Sequence, residues 1–167
     1  GLNVTVPFKK LVFELVDIID DTAKESMAVN TIYRKKGKII GTNTDGLGFL
    51  ESLIKDLAIK LKPGANIFCI GAGGAAYGII SQLIKLKPNV VEISNRTEKT
   101  AIKLKNHFSD HDKTIIKVRP WGFQPNRHTD LLVNTSTHGM NHSDKLSFNL
   151  DLLSKRTFVY DIIYSPR

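Results

Sequence analysis

The spacing of apolar residues changes its period along the chain, and those changes predict the elements. Asn3-Val4-Thr5-Val6-Pro7 reads as a strand running into a helix opened by Pro7, whose missing N–H is not needed at a first helical position. Leu11, Val12, Leu15, Ile18 and Ile19 then recur three and four apart, predicting an amphipathic helix over residues 8–20. Residues 28–34 and 38–42 are β-prone runs flanking a basic, glycine-containing turn, a hairpin pattern. Leu47, Leu50, Leu53, Ile54 and Leu57 share one side of a helix predicted over 46–61, which Lys62-Pro63-Gly64 ends.

From there the period alternates. Strands are predicted at 67–70, 90–94, 115–118, 130–134 and 158–163. Helices fall at 75–86 and 98–108, with a helical turn near 150–154. Strands alternating with helices at this spacing build βαβ units and a parallel sheet, with right-handed crossovers placing helices on both faces. The expected fold class is α/β, a doubly wound parallel sheet of Rossmann type over residues 46–167. Residues 1–45 are too short to bury a core of their own and read as the remnant of a second α/β domain.

Composition narrows the classes. A 167-residue chain that is 41% hydrophobic has enough apolar surface for a packed core, which argues against disorder. No apolar run approaches the roughly 20 residues of a membrane helix. The first eight residues precede Lys9-Lys10 rather than follow a charge, so no signal peptide is expected and a cytoplasmic location is. Cys69 stands alone inside Ile67-Phe68-Cys69-Ile70 and reads as a small buried hydrophobe. The histidines lack metal-ligand spacing, so no metal is expected. The net charge of +8 comes mostly from scattered lysines, with one cluster at Arg34-Lys35-Lys36-Gly37-Lys38. No aromatic residues interleave with them as single-stranded nucleic acid would require, so solvated helix faces and a wet hairpin tip explain the charge better than a nucleic-acid partner. Trp121 is expected in the core.

Chemistry concentrates in a glycine loop. Gly71-Ala72-Gly73-Gly74-Ala75-Ala76 follows the first buried strand and opens the next helix, the G-x-G-x-x-A form of the dinucleotide fingerprint. Gly71 permits the tight turn, Gly73 lets backbone approach a pyrophosphate, and Ala76 allows close helix–strand contact. The second strand ends in Ser94-Asn95-Arg96-Thr97, where a carboxylate for a ribose 2′-hydroxyl would otherwise stand. The planar fork of Arg96 matches a 2′-phosphate, and Asn95 and Thr97 can add to that pocket, so NADP is the expected cofactor. Thr97 also reads as a helix cap, with Glu98 in the first turn.

Asn3-Val4-Thr5-Val6-Pro7-Phe8-Lys9 and Asn43-Thr44-Asp45-Gly46-Leu47-Gly48 stand in order ahead of the glycine loop and Asn95-Arg96-Thr97. Asn134-Thr135-Ser136-Thr137-His138-Gly139-Met140 and Tyr160-Asp161-Ile162-Ile163-Tyr164 follow. In these motifs, covering nearly the whole chain, the sequence resembles the shikimate dehydrogenases. The resemblance implies reversible reduction of 3-dehydroshikimate to shikimate by NADPH, a step of aromatic amino-acid biosynthesis. It implies Lys9 as catalytic acid/base with Asp45 as its partner, and substrate contacts from Thr5, Lys9, Asn30, Asp45 and Tyr164. It places Gly71, Ala72, Gly73, Gly74 and Ala75, then Asn95, Arg96, Thr97, Glu98, Lys99 and Thr100, and finally Ile162 along the cofactor, with Asp21 near it. It assigns His138 no role. Away from the motif, Lys9 would be an exposed lysine in a first helical turn and Asp45 a helix N-cap.

Against that family the chain is expected to be truncated at both ends. It lacks the serine pair expected before residue 1 and the glycine-rich loop and glutamine expected beyond Arg167, and Thr100 stands where relatives often carry an arginine. Residues 1–45 would then be the end of a substrate-binding domain and 46–167 an incomplete NADP-binding domain, in a monomer or homodimer. Two readings stay open beside it: a quinate/shikimate dehydrogenase with relaxed cofactor use, and a non-catalytic nucleotide-binding module.

Overall fold

The computed structural model describes residues 1–5, 7–109, 114–141, 144 and 148–163. Two sheets organise them. In the first, β1 (Leu2–Asn3) and β4 (Lys38–Thr42) flank β3 (Thr31–Lys35), and β2 (Ile18–Ile19) pairs in parallel outside β4. The β3–β4 hairpin turns at Lys36-Gly37, both with positive φ as a two-residue type I′ turn requires. The second sheet is wholly parallel. It comprises β5 (Asn66–Ile70), β6 (Val90–Ser94), β7 (Ile115–Arg119), β8 (Leu131–Asn134) and β9 (Phe158–Asp161) in the order β7-β6-β5-β8-β9. The chain steps outward from β5 through β6 to β7, then returns to the other side for β8 and β9. That is the doubly wound arrangement, with its switch point between β5 and β8.

Alternation along β5 builds two cores. Ile67 and Cys69 join the cluster holding Ala76, Ile80, Leu83, Val91, Ile93 and Leu104, beneath α4 (Gly74–Lys85) and α5 (Glu98–His107). Phe68 and Ile70 face the other way, against Leu132 and Phe148. Both faces of the central strands are therefore covered, as a parallel sheet requires. Cys69 is fully buried, and burial pushes its thiol up to about 12, so it is the inert hydrophobe its setting predicts.

Two predicted helices differ, and one helix was not predicted. The helix expected over 8–20 is α1 (Lys9–Leu15); Val16 turns extended, and Ile18 and Ile19 pair with Ile40 and Gly41 instead. The Asp17 carboxylate accepts the Ile39 N–H, and the Asp17 N–H donates to the Ile39 carbonyl, so the segment satisfies its backbone at a sheet edge that suits β-branched residues. A helix absent from the periodic pattern, α2 (Asp21–Ser26), follows; at six residues it is too short to show a period. The helix expected over 46–61 is α3 (Asp45–Glu51), continued by a π-helical turn at Ser52–Asp56 and stopped where Ala58 adopts a φ of 52°. The strand expected over 3–7 is confined to Leu2–Asn3, and the run expected at 28–34 becomes a strand only from Thr31; the elements expected beyond residue 61 fall within a residue or two of those above, and the expected helical turn is a 3-10 turn at Leu150–Leu152.

Helices α2 and α3 both pack on α4, which joins the sheets. The Glu25 carboxylate on α2 accepts from Lys85 Nζ (2.8 Å) and Gln82 Nε2 (3.3 Å) on α4. Among the described residues no helix is long and apolar enough to cross a membrane, and no cluster of three or more potential metal ligands occurs.

Candidate active site

Lys9 opens α1, and its carbonyl accepts the N–H of Val29, which fixes the start of that helix beside the segment entering β3. Asp45 opens α3 directly after β4. The two side chains meet: Lys9 Nζ lies 2.8 Å from Asp45 Oδ2. Asn30 Nδ2 donates to the other oxygen, Oδ1, at 2.7 Å, while its own Oδ1 accepts the Thr44 N–H at 3.0 Å. Behind them the buried Asn43 accepts the Asp45 N–H through Oδ1 (2.9 Å) and donates to the Ala28 carbonyl (3.0 Å). Backbone and amide bonds thus aim the carboxylate, and the carboxylate aims the ammonium. The pair is partly screened, with 24% and 33% of the side-chain surfaces exposed, so small molecules can reach it.

The helix-cap reading of Asp45 is corrected by this geometry. Thr44 holds the N-cap position, and the Asp45 carboxylate turns to Lys9 and Asn30. An ammonium held by a carboxylate can hand a proton to an oxygen that gains negative charge, and can stabilise that charge. Thr5 is exposed in the turn before α1, where its carbonyl accepts the Phe8 N–H. Tyr164 lies outside the described residues.

A cavity of about 720 Å³ runs across the carboxyl ends of the second sheet. Gly71 through Ala75, Asn95, Arg96, Thr97 and Ile162 all line it, bringing together nine of the residues singled out from the sequence. Gly71 has a φ of 102°, and a Cβ there would come within 2.8 Å of the Ser136 nitrogen, so both conformation and space demand glycine. Around Gly73 and Gly74 the space is open, so an anion can approach the backbone at the start of α4. Ala76 is fully buried at the helix–strand contact.

Asn95 lines the cavity and also has a structural task. Its Oδ1 accepts the Ala72 N–H (3.1 Å) and its Nδ2 donates to the Thr97 carbonyl (2.8 Å), so its side chain ties the glycine loop to the end of β6. Thr97 sits at the N-cap of α5 but makes no side-chain cap bond, contrary to the capping role its position suggested. Arg96 projects into the cavity, and among the described residues no carboxylate pairs with it. Arg119, by contrast, is held by Glu92 (Nε to Oε1 2.8 Å) and lies over the Phe123 ring. The cavity therefore carries an uncommitted guanidinium beside a phosphate cradle, a fit for a dinucleotide with one further phosphate.

Glu98, Lys99 and Thr100 lie in the first turn of α5, outside the cavity lining. Asp21 is also outside it, exposed on α2 and 3.2 Å from Lys24. Other lining residues were not expected there from the sequence. Ser136, His138 and Asp144 follow β8, and Trp121 follows β7. The topology alone could have indicated them, because ligands of such sheets sit outside the strand ends at the switch point. Trp121 is half-buried: it packs on the second core, as expected, and also lines the cavity. The backbone N–H groups of Gly139 and Asn141 donate to Asp144, and with the nearby His138 they hold its carboxyl below the usual range against a small opposing effect of burial.

Known proteins share this fold. Residues 1–32 match the family model for the shikimate dehydrogenase substrate binding domain. The NADP(+) shikimate dehydrogenase of Pelagibacter ubique is 40% identical over 167 residues, covering 99% of this chain and 59% of that protein. The Aquifex aeolicus enzyme of the same name is 41% identical, covering 98% and 58%. A crystal structure of shikimate 5-dehydrogenase from Thermus thermophilus, in complex with NADP(H) and shikimate, is 29% identical with a TM-score of 0.82, covering 98% of this chain and 58% of that one. The chain thus spans about three-fifths of the length of these relatives. Along nearly all of its own length, in sequence and in fold, the chain is similar to the shikimate dehydrogenases.

Proposed function

We propose that this chain serves the reversible, NADP(H)-dependent reduction of 3-dehydroshikimate to shikimate, in the cytoplasm. Residues 1–45 would belong to the substrate-binding part and 46–167 to the NADP-binding part. The observation that carries the reading is Asp45: its two oxygens hold Lys9 Nζ and Asn30 Nδ2, and its helix packs on α4, the helix opened by the glycine cradle. Proton chemistry and dinucleotide binding are thereby joined through one helix pair.

Each residue has a definable part. Gly73, Gly74 and the N–H groups of α4 take the pyrophosphate, and Arg96 takes the 2′-phosphate. The cofactor, when bound, supplies the hydride for the ring carbon that bears the oxygen. Lys9 supplies the proton that the oxygen requires on reduction and receives it on oxidation. Asp45 and Asn30 keep the ammonium oriented, and with Thr5 they offer donors and acceptors for the hydroxyls of a polyhydroxylated ring.

The test is a steady-state assay of the protein with shikimate and quinate, each against NADP+ and NAD+, read as absorbance of the reduced nicotinamide. Turnover of shikimate with NADP+ well above the other three combinations is expected. Comparable rates with quinate and NAD+ would replace the assignment with a quinate/shikimate enzyme. NADP+ binding by calorimetry without turnover of either acid would favour a nucleotide-binding module.

A further inference from the structure

The cavity has a direction. Trp121 stands at its β7 end, Arg96 at the end of the adjacent β6, the glycine loop at β5, and Ile162 past the end of β9 on the far side. If Arg96 grips a ribose 2′-phosphate, the base on that ribose lies on the β6–β7 side, and the other half of the dinucleotide runs toward β9. The wall on the base's side includes a built aromatic surface. Trp121 meets His138 edge to face (centroids 6.0 Å, 89°) and Phe148 likewise (5.4 Å, 86°), so the indole plane is set by two perpendicular neighbours. Its backbone is pinned as well. Ser94 Oγ at the end of β6 donates to the Pro120 carbonyl at 2.9 Å, so the residue before Trp121 is anchored to the strand that delivers Arg96.

We propose that Trp121 is the aromatic wall for the purine base of an adenine dinucleotide, a ligand contact beyond the glycine loop and Arg96. This rests on the NADP reading above. A half-buried indole that lines the cavity and is braced by two aromatic neighbours offers a π surface at little cost in side-chain ordering, and every purine has a complementary face. Trp121 is the only tryptophan in the sequence, so its emission reports this wall alone.

The experiment titrates the protein with 2′,5′-ADP, which carries the adenine and the 2′-phosphate but no nicotinamide, and separately with nicotinamide mononucleotide. Tryptophan emission and heat are followed in parallel. The expected result is a saturable emission change with 2′,5′-ADP at the calorimetric Kd and none with nicotinamide mononucleotide. Trp121→Leu should raise the Kd for 2′,5′-ADP about tenfold, and Trp121→Phe should recover most of it. Calorimetric binding of 2′,5′-ADP with unchanged emission, or an emission change with nicotinamide mononucleotide instead, overturns the proposal while leaving the NADP reading standing. Absence of any heat with 2′,5′-ADP removes the NADP reading, and the proposal with it. The wild-type titration decides the matter even where the leucine variant does not fold.

Discussion

Gly46 and Gly78 meet backbone to backbone: a Cβ built on Gly46 would lie 2.1 Å from the Gly78 carbonyl oxygen. One residue before Gly46 is Asp45, and Gly78 lies one turn into the helix that begins at the glycine loop. This contact sets how closely the lysine–aspartate pair approaches the cradle. Gly46→Ala must push α3 off α4 or distort both, because the obstacle is backbone and not a flexible side-chain end. A loss of about 1–3 kcal/mol in unfolding free energy is expected from overpacking, accompanied by reduced turnover. Gly78→Ala is the contrast. Its Cβ would meet only ordinary contacts at 3.4 Å and beyond, and alanine gains up to about 1 kcal/mol of helix propensity over glycine. Urea unfolding of both variants checks the asymmetry; equal losses would refute the contact's role.

The Lys9–Asp45 pair separates chemistry from stability. Partly exposed ion pairs contribute about 0–1 kcal/mol to folding, whereas a positioned general acid is worth about 10²–10⁴ in rate. Lys9→Ala should therefore lose turnover by at least two orders of magnitude, with nucleotide affinity nearly unchanged and stability lowered by less than about 1 kcal/mol. Kinetics, calorimetry and urea unfolding on one preparation test all three. A fall in kcat of only a few-fold would show that the proton comes from elsewhere.

Arg96 should distinguish the two nicotinamide cofactors. Its guanidinium lines the cavity uncommitted to any described carboxylate, so its removal costs binding without leaving a buried partner unsatisfied. Arg96→Ala should weaken NADPH by roughly 1.5–3 kcal/mol, the range for hydrogen bonds to charged groups, and NADH far less. Direct titration of both reduced cofactors by fluorescence measures the difference. Equal weakening would place Arg96 on the pyrophosphate or in the structure rather than on a 2′-phosphate.

Much of this was legible in the residues because the relevant rules are local. The buried strands announced themselves as short apolar runs, and the glycine loop by spacing between a strand and a helix. Gly71 shows why: its φ and its closeness to Ser136 leave no other choice of residue. The first 60 residues are less legible, since Ile18 and Ile19 carry a helical spacing yet find better backbone partners on β4. That outcome depends on a strand twenty residues downstream, which no local period encodes. The tie made by Asn95 and the aromatic setting of Trp121 are likewise tertiary, created by strands β6, β7 and β8 standing in one sheet.

Asp20 gives the first sheet's connection to α2 a dependence on acidity. Its Oδ1 accepts the Ala23 N–H at 2.9 Å and the Thr22 hydroxyl at 2.7 Å, capping α2. Burial pulls the carboxyl's pKa upward, but donation from the hydroxyls of Thr42 and Thr22 and from backbone N–H groups outweighs it, leaving the pKa below the ordinary value of 3.8. A depressed folded pKa means that the unfolded chain takes up the proton first. The stabilisation is therefore complete well above 3.8 and is lost as the pH falls through the lower, folded value. Asp20→Ala should cost about 1 kcal/mol near pH 7, the usual worth of an N-cap, and the gap to the parent should narrow toward about pH 2.5. Asp20→Asn keeps a capping oxygen but cannot ionise, so its gap to Asp20→Ala should stay nearly flat with pH. Urea unfolding at both pH values supplies the comparison. A parent-to-alanine gap that is the same at neutral and acid pH would mean that the cap acts without its charge.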